Sequence, residues 1–70
     1  MDILVFKTNL RFKKNISDVD MHITRIPGVL RWNVDLKDCD KVLRIEARDL
    51  SPKLVEKTLA SIGYYCEELQ

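Results

Sequence analysis

The chain opens with a short apolar run, DILVFKT at residues 2–8. Both alternating sets of positions are apolar, with Ile3 and Val5 in one set and Leu4 and Phe6 in the other. The run is too short for a typical helix and is rich in β-branched and aromatic residues, and its apolar residues on both faces are typical of a central strand. The sequence therefore begins with a predicted central β-strand.

The next segment changes from a loop to a helical pattern. Residues 9–15, NLRFKKN, are polar and predict a loop. Beyond them, apolar residues follow at steps of three, four and three, at Ile16, Val19, Ile23 and Ile26. This spacing places them on one face of a helix over 16–26. Asn15 is the expected N-cap, and Pro27-Gly28 is expected to end the helix.

In two segments beyond Gly28, apolar and polar residues alternate with period two, which predicts a β-hairpin. The segments are VLRWNVDL at 29–36 and VLRIEAR at 42–48, joined by the turn-forming residues KDCDK. The core-facing positions are expected to be Leu30, Trp32, Val34 and Leu36 in the first strand and Leu43, Ile45 and Ala47 in the second.

A second helix and a short strand complete the chain. Ser51 is a predicted N-cap with Pro52 at the first helical position, and Gly63 suits a left-handed C-terminal cap. The helix presents an apolar stripe at Val55, Leu59 and Ile62. The final segment, YYCEEL, predicts a strand with Tyr65 and Leu69 facing the core.

The predicted order is strand, helix, strand, strand, helix, strand, in one domain over residues 1–70. Right-handed crossovers convert this order into an α+β, ferredoxin-like βαββαβ sandwich, with an antiparallel sheet of order 4-1-3-2 and both helices on one face. In this topology the loop after the first strand, the turn around Cys39 and the turn at Gly63-Tyr64 meet at one end of the molecule. We expect any functional site there.

The composition limits the classes of protein to which the chain can belong. The 70 residues are 46% hydrophobic and 33% charged, with two Gly and two Pro, which is typical of a globular domain. No apolar run is long enough to span a bilayer, and the first side chain after Met1 is acidic, so we expect a cytoplasmic protein without membrane insertion. One His, two Cys and no Gly-rich loop leave little from which to build a catalytic site, and we expect neither an enzyme nor a cofactor.

Charge is nearly balanced at +1 but is uneven along the chain. Residues 1–15 contain one acidic residue, Asp2, and four basic residues, Lys7, Arg11, Lys13 and Lys14. The predicted open face of the sheet mixes both signs and lacks stacking aromatic residues, so we expect no nucleic-acid binding.

Several strings resemble the heavy-metal-associated domain family, which comprises small metallochaperones and N-terminal modules of metal-transporting ATPases. They are FKTNL at 6–10, PGV at 27–29, WNVDL at 32–36, DKVLRIEA at 40–47 and SIGYYCEEL at 61–69. Their order and the chain length match the family over nearly the whole sequence. The resemblance implies the same ferredoxin-like fold and a metallochaperone-like ancestry.

The family binds soft metal ions through a CxxC motif in the loop before the first helix, and this chain departs from that motif. The corresponding positions are Phe12 and Asn15. Phenylalanine has no donor atom, a carboxamide is a poor ligand for Cu(I) or Zn(II), and the three neighbouring cations oppose a bound metal ion. The family's metal ligands therefore do not carry over, and the domain is expected to have lost metal binding.

Three hypotheses follow from this departure. In the first, the chain is a protein-interaction module whose partner-binding residues are Arg11, Phe12, Lys13, Lys14 and Tyr64. In the second, metallochaperone-like binding of Cu(I) or Zn(II) persists through Cys39, Cys66 or His22. In the third, the basic loop beside a helix N-terminus makes the chain an anion- or nucleotide-sensing module.

The fate of Phe12 and the oligomeric state are further expectations. Phe12 is expected to fold inward and fill the former metal site, with exposure beside Tyr64 as the alternative. Cys39 is expected to be a solvated turn residue and Cys66 a small apolar filler. We expect a monomer or a weak dimer. The outward-facing Ile3 and Val5 form a narrow apolar stripe that suits either a dimer contact or a partner contact, or that is ordinary exposed surface.

Overall fold

The computed structural model describes residues 2–37 and 39–69. The elements, in chain order, are β1 (Asp2–Thr8), α1 (Lys13–Ile23), β2 (Val29–Asp35), β3 (Val42–Ala47), α2 (Pro52–Ser61) and β4 (Cys66–Glu68). In this part of the chain, neither helix is long and apolar enough to cross a membrane.

The four strands form one antiparallel sheet in the order β2-β3-β1-β4, which is the predicted order read from the other edge. Strand β1 is central, as predicted, with β3 on one side and β4 on the other. Its register places Leu4 opposite Ile45 and Phe6 opposite Leu43. The ferredoxin-like fold is thereby confirmed.

The core lies between the sheet and the two helices. Both predicted helical stripes point into it, because Val19 and Ile23 of α1 and Val55 and Leu59 of α2 are fully buried. The strands contribute Leu4, Phe6, Leu43, Ile45 and Ala47. The period-two pattern of the strands and the period-3.6 pattern of the helices thus predict residues of the same core.

Strand β2 differs from the prediction at its start. Leu30 was expected in the core but is 56% exposed, whereas Val29 packs against the core. The cause is a register irregularity between Val29 and Arg31, where the pairing with β3 skips one residue. A bulge of this kind places an extra residue in one strand, so the alternation shifts by one position. From Trp32 onward the predicted alternation holds.

The prediction for the last strand is wrong in phase. Tyr65 and Leu69 are exposed, whereas Tyr64 and Cys66 pack against the core. Pairing with β1 sets this phase, since Cys66 lies opposite Thr8, which is buried. With two adjacent tyrosines, the hydrophobic pattern alone does not determine which of them faces inward.

Helix α1 is displaced relative to the prediction. It begins at Lys13 instead of Ile16 and ends at Ile23, with residues 24–28 forming a turn before β2. The first helical residues are Lys13 and Lys14, whose polar side chains hid the start of the helix from a hydrophobic-pattern analysis. Asn15 is therefore the third helical residue and not the N-cap.

Two glycines occupy positive-φ positions but differ in their surroundings. Gly28 has φ +100°, and a Cβ there would lie 2.5 Å from the carbonyl oxygen of Arg48. The Arg48 amide donates a 2.8 Å hydrogen bond to the Gly28 carbonyl, so the two backbones are held in close approach. Gly63 has φ +91°, with open space where its Cβ would be.

We therefore expect Gly28→Ala to be more harmful than Gly63→Ala. Gly63→Ala should cost about 1–2 kcal/mol from left-handed backbone strain alone. Gly28→Ala adds a clash with backbone that cannot move without breaking the β2–β3 junction, and should exceed that cost by roughly 1 kcal/mol or more. Urea unfolding of the two variants measures the difference, and equal losses would contradict this reading of Gly28.

Candidate functional site at the loop end

Hydrogen bonds join three turns at one end of the molecule, as the topology predicted. The Thr8 amide donates to the Asp40 carbonyl at 3.1 Å, which ties the end of β1 to the hairpin turn. The Tyr65 amide donates to Asn9 Oδ1 at 2.9 Å, which ties the following loop to the turn before β4. We call this region, residues 9–15 with the turns at 36–41 and 62–65, the loop end.

Asn15 organises the start of α1 from inside the helix. Its Oδ1 accepts hydrogen bonds from the amides of Arg11 at 3.2 Å and Phe12 at 3.0 Å. These two amides precede the helix and lack intrahelical partners, so the side chain satisfies them, much as the third residue of a capping box does. The capping role predicted for Asn15 is retained, but it is exerted from the third helical position.

The Asn15 side chain also connects α1 to the turn before β4. Its Nδ2 donates to the Tyr64 hydroxyl at 3.1 Å, and that hydroxyl donates to Asp18 Oδ2 at 2.9 Å. The hydrogen bond to Asp18 raises the pKa of Tyr64 above its usual range, and burial adds to the effect. The protonated phenol accepts from Asn15 and donates to Asp18, and so bridges the two side chains.

Sequence analysis identified Asn15 and Tyr64 but missed Asp18 as their partner. Its spacing of three from Asn15 was the available signal, because residues at that spacing share a helix face. The contact with Tyr64 spans 46 residues and depends on the fold.

Phe12 does not fill the interior, so the expectation of an inward plug is wrong. Its side chain is 67% exposed. Leu10, two residues earlier, is fully buried in the core and occupies the interior beneath the loop. The loop can bury one of these apolar side chains, and the extended backbone of Phe12 at the helix start directs its ring outward.

Three exposed basic residues lie next to Phe12 in the sequence. They are Arg11, Lys13 and Lys14. The first turn of α1 contains no acidic residue, although the positive end of a helix dipole favours acids. The positive end of the helix dipole and the basic side chains therefore have the same sign, and the region near Phe12 is positively charged.

The alternative metal ligands are not assembled in one place. Within residues 2–37 and 39–69, no group of three or more His, Cys, Asp or Glu side chains is placed to hold a metal ion. His22 Nδ1 lies 2.8 Å from the backbone oxygen of Asp18 in its own helix. Cys39 is exposed in the hairpin turn, as predicted, whereas Cys66 is partly buried, and both are free.

Cys66 is also poorly suited to act as a thiolate. Burial raises the pKa of its thiol to about 12, and the Glu56 carboxylate adds to the effect. The thiol borders a shallow groove of about 350 Å³ between α2 and β4, together with Lys53, Glu56, Lys57 and Ala60. At neutral pH the protonated form dominates, which disfavours metal binding at this residue.

The contrasting burial of Leu10 and Phe12 generates a stability prediction. Leu10→Ala should lower the free energy of unfolding by about 2–5 kcal/mol because it opens a cavity in the core. Phe12→Ala should change it by less than about 0.5 kcal/mol, as expected for an exposed side chain. Chemical denaturation of both variants measures the two effects, and a large loss for Phe12→Ala would restore the plug interpretation.

The sequence matches no protein-family model and none of the curated protein sequences. Solved structures, in contrast, match it over nearly its whole length. The N-terminal domain of ZntA in its Zn(II) form has a TM-score of 0.83 at 19% identity, covering 97% of this chain and 92% of that one.

Two further structures match equally well. The yeast copper transporter domain Ccc2a, solved in apo and Cu(I)-loaded states, has a TM-score of 0.83 at 10% identity, covering 97% and 94% of the two chains. Oxidised MerP from Ralstonia metallidurans CH34 has a TM-score of 0.84 at 17% identity, covering 99% and 97%. At these identities the likeness concerns the backbone. The chain therefore has the ferredoxin-like fold of the heavy-metal-associated domains.

Proposed function

We propose that this chain is a non-enzymatic, heavy-metal-associated-type domain whose loop end binds a protein partner in place of a metal ion. The partner surface is acidic and contains an apolar recess for Phe12. The proposal is supported by the fold, by the substituted metal motif and by the character of the exposed side chains at the loop end.

The exposure of Phe12 carries the proposal. At 67%, Phe12 has the largest exposed fraction of any large hydrophobic side chain in the described residues, and basic residues lie on both sides of it in the sequence. Aromatic and arginine side chains are enriched among residues that dominate binding energy at protein interfaces. Phe12 and Arg11 supply both types at adjacent positions.

The same residues argue against a metal ion at the motif positions. Phe12 has no donor atom, and the Asn15 carboxamide is already hydrogen-bonded to Arg11, Phe12 and Tyr64. Using Asn15 as a ligand would release two amides at the start of the helix and the partly buried hydrogen bond to Tyr64. Because an oxygen ligand is also poorly matched to Cu(I), the exchange is unfavourable.

The alternative function is retained binding of Cu(I) or Zn(II) through Cys39, Cys66 or His22. The solved structures with this fold favour it, since two of them were determined with Zn(II) or Cu(I) bound. The raised thiol pKa of Cys66 opposes it within a single chain. The two functions make opposite predictions for metal titration.

Anaerobic titration of the reduced protein with Cu(I) and Zn(II), against a competing chelator, distinguishes them. We expect no binding tighter than the micromolar range for the parent chain. The double variant Phe12→Cys, Asn15→Cys restores two thiols at CxxC spacing beside a helix N-terminus, and should bind one Cu(I) with at least roughly a thousandfold higher affinity.

A matched control is the double variant Phe12→Ser, Asn15→Ser, which removes the same side chains without adding thiols. It should resemble the parent in the titration. Tight stoichiometric binding by the parent that disappears in a Cys39→Ser, Cys66→Ser variant would instead establish the alternative function.

Affinity capture tests the interaction surface itself. The parent chain and the variant Met21→Ala, which truncates another exposed apolar side chain on α1, should retain the same protein from a lysate. Phe12→Ala should lose most of it. Lys13→Ala, Lys14→Ala should weaken retention most at low salt, and its difference from the parent should shrink as salt screens the charges that the parent still carries.

Retention by Phe12→Ala relative to the parent shows whether Phe12 lies in the interaction surface. A partner that Phe12→Ala and the parent retain equally would place the interaction surface elsewhere. Because both Phe12 and Met21 are exposed, neither truncation is expected to unfold the domain, and circular dichroism of the variants checks that they remain folded.

A further inference from the structure

The outer strand of the sheet has a self-complementary charge pattern. Strand β2 forms one edge of the sheet and pairs with β3 on its inner side. Its sequence from 31 to 35 is Arg-Trp-Asn-Val-Asp, with a cation at one end, an acid at the other and Asn33 in the middle. If two such strands run antiparallel about Asn33, opposite charges face each other at both ends.

We propose that two copies of this chain associate through their β2 edges, antiparallel and about a two-fold axis at Asn33, to form a continuous eight-stranded sheet. In this register Arg31 of one copy lies opposite Asp35 of the other, and the contact occurs twice by symmetry. Directly opposed residues in an antiparallel pair have Cβ atoms about 4.5–5.5 Å apart, which is within reach of an ion pair.

The charged face of the strand is available for this contact. Arg31, Asn33 and Asp35 are all exposed. The Arg31 side chain is 77% exposed although its Nε lies 3.5 Å from Glu46 Oε2. Asp35 binds the Lys37 amide through Oδ1, and a carboxylate can accept further hydrogen bonds through its second oxygen.

The opposite face of the strand is complementary as well. Trp32 and Val34 point toward the helices and are only partly buried, because they lie at the margin of the core. The proposed register places Trp32 of each copy opposite Val34 of the other. Aromatic and β-branched side chains make favourable cross-strand pairs, so the contact would cover apolar surface that one chain alone leaves in water.

The other edge of the sheet is unsuited to the same contact. Strand β4 has three residues, Cys66–Glu68, against seven in β2. Antiparallel pairing of two β4 strands about Glu67 would place two carboxylates opposite each other. Like charges in that position are destabilising, which leaves β2 as the edge that fits a second copy.

Sedimentation equilibrium from micromolar to millimolar concentration tests the proposal. The parent chain should approach the mass of a dimer as its concentration rises. Trp32 is the single tryptophan, so its emission should shift to shorter wavelength over the same range. Arg31→Asp and Asp35→Arg each replace two attractions with two repulsions, and each should weaken association by roughly tenfold or more.

Charge exchange makes the test specific. The double variant Arg31→Asp, Asp35→Arg restores both attractive contacts and should associate like the parent. An equimolar mixture of the two single variants should form mixed dimers, because each supplies the charges that the other lacks. Lys57→Asp on α2, remote from β2, is the control and should associate like the parent. Circular dichroism confirms that each variant is folded.

Three results would overturn the proposal. The first is a parent chain that stays monomeric at millimolar concentration. The second is association that the single charge reversals leave unchanged, which would place the dimer contact on another surface. The third is failure of both the double variant and the mixture to associate while their folds are intact.

Discussion

Packing of the β1–β3 pair beneath the two helices is the interaction on which the rest of this small domain depends. Phe6 faces Leu43 across the pair, and both are completely buried. A chain of 70 residues buries a smaller share of its surface than a larger domain does, so its stability rests on few apolar contacts. The central position of β1 lets one strand pair with neighbours on both sides, while Leu4 and Phe6 belong to the same buried core as residues of both helices.

The loop end inherits its shape from this core. Thr8 and Leu10 leave β1 as buried residues, and the Thr8 hydroxyl donates to the Lys41 carbonyl while accepting from the Leu10 amide. Once Leu10 is anchored, the backbone reaches Phe12 in an extended conformation and the helix begins. Phe12 therefore points outward because the core is filled by Leu10, two residues earlier.

The two proposed surfaces lie on different parts of the fold and are compatible. The loop end is formed by loops and the start of α1, whereas the β2 edge is a strand margin. In the proposed antiparallel pair of β2 strands, Asp35 lies at the loop-end side of β2 in one copy and faces Arg31, toward the other side of β2, in its partner. Two loop ends would thus point in opposite directions, and one dimer could engage two partners.

The sequence by itself determined the element order, the sheet order and most of the core, because hydrophobic periodicity records which face of each element is buried. Through its resemblance to the heavy-metal-associated family, it also pointed to Phe12 and Asn15 as candidate positions at the loop end. Three features required the tertiary structure. The bulge that exposes Leu30 and the phase that turns Tyr64 inward are set by strand register, and the partnership of Tyr64 with Asp18 joins segments far apart in sequence. Local pattern cannot supply these, since register and long-range contacts depend on how the whole core closes.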